Sequence, residues 1–115
     1  MHRFLLLVIA VAAGCAGTAG VDPTAAVSEM LPGQQAYENV CARCHKRGRG
    51  KAPAAGDRDA WEDRSPLWVA VLEEHAKNGY LKMPAKGGDP SLSDYDVTAA
   101  AEYMLTLTYP ERRLD

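Results

Sequence analysis

Cys41-Ala42-Arg43-Cys44-His45 is the stretch on which the reading of this chain turns. On a helical turn, two cysteines three apart project to one side, and the next residue lies beside them. Cys-x-x-Cys-His is the attachment signature of a c-type haem. Each thiol can form a thioether with a vinyl group, and the imidazole can bind the iron from one face. Three other readings compete. Disulfide exchange through Cys-x-x-Cys belongs to a thioredoxin-like setting built on a β-sheet, and no strand pattern is visible here. A tetrahedral zinc site needs four ligands, and adjacent Cys44 and His45 cannot easily share one ion. Chance occurrence on a helix is the third, and the second half of the chain argues against it.

Outward from the motif, the pattern is helical. Residues 33–44 read as one helix, with Tyr37, Val40, Cys41 and Cys44 on a shared face and Pro32 at its start. Residues 46–58 are a charged, Gly- and Pro-containing loop, with a short turn predicted around Asp59–Asp63. Ser65-Pro66 opens a second long helix, lined by Leu67, Trp68, Val71, Leu72 and His75 and closed by Asn78-Gly79. Residues 80–92 are irregular. Ser93 then caps a last helix with Asp94 and Asp96 at its positive end and an apolar stripe of Val97, Ala100, Ala101, Met104 and Leu107. The expected fold class is all-α. One phenylalanine and two tryptophans make a thin core for a domain of this size, and small domains commonly need a metal, disulfide or cofactor. A haem would supply the missing apolar bulk.

The second half also offers an axial partner. Met83 lies in a loop and precedes Pro84, where packing gives a methionine little reason to be. Met104 falls in a helical stripe and reads as core, and Met30 comes too early. His75 is the rival ligand, but its position on a regular helix beside Glu73, Glu74 and Lys77 suits a packing or solvated role. Histidine and methionine together would fill both axial positions, leaving no vacancy for oxygen, peroxide or substrate. Methionine ligation also raises the potential relative to bis-histidine iron.

At this point the chain resembles a class I cytochrome c, and most of all the short bacterial monohaem subgroup called c-five, over residues 33–108. The resemblance is carried by Gly33, Tyr37 and Cys41, Ala52-Pro53, Gly56-Asp57, Ala60-Trp61, Arg64, Asn78-Gly79, Met83-Pro84-Ala85-Lys86-Gly87-Gly88, Leu92-Ser93-Asp94 and Glu102-Tyr103-Met104. It implies a small class I cytochrome c fold around one haem c, covalently bound through Cys41 and Cys44, with His45 and Met83 as iron ligands. It implies that Gly33 permits close crossing of the first and last helices, with Tyr37 and Tyr103 at the contact. The Pro53 carbonyl is expected to hold the far nitrogen of His45, and Trp61 and Arg64 to lie near the haem propionates, a structural role at a buried edge being the other reading. Many members of the subgroup carry two cysteines after the Gly-Gly pair. This chain has Asp89-Pro90-Ser91-Leu92 there, so Pro90 is expected to stiffen the loop in their place.

The N-terminus reads as targeting sequence. His2 and Arg3 precede an apolar run from Phe4 to Ala13, too short for a membrane span of about 20 residues but suited to a signal peptide. Val11-Ala12-Ala13-Gly14-Cys15 resembles the lipobox of bacterial lipoproteins, with Ala12 where leucine is usual. Residues 1–14 are expected to be a signal peptide, 15–31 a lipidated N-terminus and flexible tether, 32–110 the cytochrome domain and 111–115 a tail. The other reading is cleavage after Ala19, which releases a soluble protein. Either places the chain on the periplasmic side of a bacterial membrane.

Thirteen basic and 15 acidic residues give a net charge of −2, with nothing to suggest nucleic acid. Locally the balance reverses: Arg43, Lys46, Arg47, Arg49 and Lys51 crowd beside the motif, and Lys82 and Lys86 flank Met83. Such a face would steer the domain to redox partners with acidic docking surfaces; a solvated loop balancing the propionates is the plainer reading. The expected function is that of a single-electron carrier in a respiratory chain, without enzymatic activity of its own. The alternatives are an electron-transfer subunit fixed in a larger oxidoreductase, and a peroxidase or gas sensor with an open iron position.

Overall fold

The computed structural model describes residues 30–64 and 69–111, with Gly14, Gly17, Gly20 and Pro23 as isolated positions. The leader, Cys15, most of the tether, Ser65-Pro66 with Leu67 and Trp68, and residues 112–115 lie outside the described residues.

Helix α1 covers residues 34–45. It starts as Gln34–Ala36, passes through a π-helical turn at Tyr37–Cys41 and finishes as α-helix at Ala42–His45. Helix α2 is Arg58–Glu62, capped by the Asp57 carboxylate, which accepts from the Ala60 amide at 3.2 Å. Helix α3 is Val69–Asn78 and α4 is Asp94–Thr108. The sequence-predicted cap of α4 is a full capping box, Ser93 and Asp96 each bonding the other's backbone amide. Short 3₁₀ turns lie at Arg49–Lys51 and Ala85–Gly88. Among the described residues the nearest thing to a strand is the isolated bridge between Tyr80 and Met83.

The start of α1 crosses α4, and α3 packs along α4. Gly33 makes the crossing possible: a Cβ there would stand 2.0 Å from the Ala99 carbonyl oxygen, and φ is +77°. The rings of Tyr37 and Tyr103 meet beside it at 5.3 Å, tilted by 57°. Tyr37, Ala100 and Met104 form the core cluster, and Val40, Val97 and Leu105 are also buried.

The stripes need correction in detail. On α4, Leu107 is 41% exposed, whereas Leu105 and Thr108 are buried. The inward face runs through Val97, Ala101, Met104 and Thr108, so Leu107 falls at its margin. On α3, Val71 is exposed and Ala76 is buried, which turns the face away from Val71. The buried face of α4 includes three consecutive alanines, Ala99, Ala100 and Ala101. Methyl groups alone bury little apolar area.

Candidate haem-binding site

His45 sits on the last turn of α1 and is buried. Three consecutive residues of the following loop hold it. The Pro53 carbonyl pairs with the His45 ring Nδ1 at 2.8 Å. The Ala54 carbonyl accepts from the Trp61 indole N–H at 2.9 Å, and that indole lies over the His45 ring with centroids 6.2 Å apart and planes 28° apart. The Ala55 amide donates to the His45 backbone carbonyl at 2.6 Å. Gly56 next donates to Thr108 Oγ1 at 3.0 Å, and the buried Thr108 hydroxyl donates to the Met104 carbonyl at 2.9 Å. The loop is thus a strap running from the ring of His45 to the end of α4.

The donor set fits a covalent haem. With Nδ1 engaged by a carbonyl, Nε2 is the nitrogen left to bind iron, and a partner on the far nitrogen fixes ring orientation and raises basicity. Cys41 is half-buried and Cys44 is exposed, and the two are not joined in a disulfide. Burial pushes the Cys41 thiol above its ordinary range, against a backbone hydrogen bond and then the charge of Arg43. The π-helical turn ends at Cys41, and such turns occur frequently at functional sites.

Met83 is half-buried and its backbone is fixed by a reciprocal pair with Tyr80, at 3.0 and 2.9 Å. Gly79, at φ +85°, allows the chain to fold back so closely that a Cβ would lie 3.0 Å from the Ala85 amide. On the other side Gly87 packs against Val40 of α1. The rival ligand His75 is stacked on Tyr80, centroids 3.9 Å apart and planes within 6°. Met104 is buried in the core.

Trp61 is positioned as a brace on His45, its single donor engaged by Ala54. Arg64 is exposed and donates to the Ala60 carbonyl at 2.6 Å. Lys86 also differs from a free docking charge: its Nζ donates to the Leu92 carbonyl at 2.8 Å and pairs with Asp94 at 3.0 Å. The loop after Gly88 is tightened by Asp89, which accepts from the amide and hydroxyl of Ser91 at 2.9 and 2.6 Å. These bonds hold Asp89 below its ordinary pKa, the Ser91 hydroxyl first among them. Arg43, Lys46, Arg47 and Arg49 are exposed and, with Ala42, line a surface cleft of about 470 Å³ beside the motif.

A Cys-x-x-Cys-His turn with a carbonyl-held histidine, on helices that cross through a glycine, defines a class I monohaem c-type cytochrome, which carries covalently bound haem c and transfers electrons without catalysing a reaction of its own. The chain belongs to the cytochrome c family: residues 28–104 match the family model described as cytochrome C oxidase, cbb3-type, subunit III. It is 39% identical over 81 residues to cytochrome c-555 of Chlorobaculum thiosulfatiphilum, covering 67% of this chain and 94% of that protein. It is 36% identical over 89 residues to cytochrome c-555 of Chlorobaculum tepidum, covering 74% and 82%. It is also similar to a chain in the crystal structure of an electron transfer complex of nitrite reductase with cytochrome c. The TM-score is 0.63 at 28% identity, over 69% of this chain and 99% of that one.

Proposed function

We propose that this protein is an exported single-electron carrier of a respiratory chain, with a low-spin haem ligated axially by His45 and Met83 and the domain tethered to the membrane through a lipid on Cys15. The observation that carries the proposal is His45: buried at the end of the Cys-x-x-Cys turn, with Nδ1 held at 2.8 Å by Pro53. When bound, the haem supplies a one-electron change of oxidation state. The chain's own residues keep the ligand geometry constant through that change. Pro53 fixes the imidazole plane, Trp61 backs it, and the Tyr80–Met83 backbone pair holds the methionine in position. Little then rearranges on gain or loss of the electron.

The exposed cluster of Arg43, Lys46, Arg47 and Arg49 suits docking to acidic surfaces of redox proteins, where charge raises the association rate more than the affinity. Among the described residues no helix is long and apolar enough to cross a membrane. The lipid on Cys15 is proposed from the sequence around it, and mass spectrometry of the mature N-terminus tests it. Replacing Met83 with Ala tests the ligand set: the reduced holoprotein should then bind carbon monoxide rapidly and its potential should fall. An unchanged potential removes Met83 as a ligand.

The description of the matched family favours a second reading, in which the domain is a fixed subunit of an oxidoreductase. Isolation from membranes in mild detergent separates the two. The carrier comes off free; a fixed subunit comes off in stoichiometric complex.

A further inference from the structure

The reciprocal backbone pair between Tyr80 and Met83 leaves Leu81 and Lys82 as a two-residue tip. Leu81 has φ +51°, a left-handed conformation that costs a residue with a Cβ about 1–2 kcal/mol. Tips of this kind ordinarily take Asn, Asp or Gly. Its side chain is 89% exposed, the most exposed large hydrophobic among the described residues. Lys86 makes an instructive contrast. It shares the left-handed backbone, at φ +55°, but its side chain ties Leu92 to Asp94 and so contributes to the fold. Leu81 makes no comparable contribution, yet its base is stiff, because Tyr80 is stacked on His75 of α3.

We propose that Leu81 is an apolar prong that docks into an apolar socket on a redox partner protein, with the adjacent exposed Lys82 meeting an acidic rim. The proposal rests on the reading of Met83 as ligand, which puts the prong two residues along the chain from the iron's proposed ligand. Electron-transfer encounters use small, transient interfaces, in which one pre-positioned apolar side chain is a large share of the buried core. A tip held by backbone pairing and ring stacking also loses little freedom on docking. The cationic neighbour selects a partner surface whose rim is negative.

The test uses oxidised holoprotein on gold electrodes carrying either a carboxylate-terminated monolayer or a mixed methyl- and carboxylate-terminated one. On the mixed layer, Leu81→Gly and Leu81→Asn should need about tenfold more protein for half-maximal electroactive coverage, as expected for losing much of a leucine's burial. On the pure carboxylate layer both variants should match the wild type. Both should also unfold at higher denaturant than the wild type, since Gly and Asn tolerate the left-handed backbone. Equal adsorption of variant and wild type on the mixed layer, or equal loss on both layers, overturns the proposal. The methionine-to-iron charge-transfer absorption, recorded on the same samples, reports separately on Met83. Its absence would sink the ligand assignment, while the electrode result still decides the prong.

Discussion

The two sides of the haem site are built differently. On the histidine side, residues 53–56 contribute a run of backbone groups to the His45 ring, the His45 carbonyl, Trp61 and Thr108, all of it resting on the α1–α4 crossing at Gly33. On the methionine side, a loop rich in glycine is held mostly by bonds within itself: the Tyr80–Met83 backbone pair, turn bonds from Gly87, Asp89 and Leu92 to Pro84, Lys86 and Asp89, and Ser91 on Asp89. Its ties outward are Gly87 against Val40 and Lys86 to Asp94. It has no disulfide-forming pair after Gly88. With Met83 as the proposed second ligand, the contrast predicts that the fold and the His45 side stand or fall together, whereas Met83 lets go of the iron with the domain intact. Local openings with free energies well below global unfolding are the general form of such behaviour.

Perturbing the crossing should have the largest effect. In Gly33→Ala the new methyl would meet the Ala99 carbonyl at 2.0 Å from a φ of +77°, so the helices must part; we expect a loss of about 3 kcal/mol or more. Chemical denaturation of holoprotein, and its yield, measure this. A variant as stable as wild type would mean the helices do not cross there. Next in size is Thr108→Val, which keeps the shape of a side chain 2% exposed but removes the acceptor for Gly56. It should cost about 1–2 kcal/mol, with methionine ligation preserved up to the global transition.

Lys86→Gln tests the other side. Global stability should drop by about 1 kcal/mol at most, because the Asp94 partner is largely exposed. The methionine charge-transfer band should nonetheless disappear at a lower temperature than in the wild type. If that band and the far-ultraviolet signal melt together in both proteins, the two sides are not separable.

The smallest effect is expected at Glu73, on the α3–α4 interface, as a control away from both ligands. Burial, followed by the charge of Glu102, raises its pKa above the ordinary 4.5, and Lys77 opposes them. For an acid with a raised native pKa, the contribution is most favourable in acid and is lost as pH rises from the unfolded value through the native one. Glu73→Gln should therefore shift the denaturation midpoint upward at pH 7 and leave it nearly unchanged below about pH 4, where the acid is protonated in both states. A midpoint shift of equal size at both pH values would place the effect in packing.

Much of this arrangement is legible in the sequence because it depends on residue types with few uses. Cys41, Cys44 and His45 specify the attachment turn, Gly33 the helix crossing, and Ser93 with Asp96 the cap of α4. What the sequence hides are partnerships made by backbone atoms or between distant positions. Ala54 and Ala55 brace the histidine with main-chain groups that no side chain advertises. Thr108, a polar residue on an apolar stripe, was the one visible sign of the tie to Gly56. No local propensity announces the π-helical turn at Tyr37–Cys41. Lys86 shows the opposite problem. A cation beside a proposed ligand reads as a docking charge until its contacts with Leu92 and Asp94 are seen.

The most direct test of the central claim is the absorption spectrum of exported, purified holoprotein in both oxidation states. A haem attached through two thioethers, six-coordinate and low-spin in both states, with methionine-to-iron charge transfer in the oxidised form, is what the His45–Met83 arrangement predicts. A five-coordinate, high-spin spectrum that changes at once on exposure to carbon monoxide would contradict it.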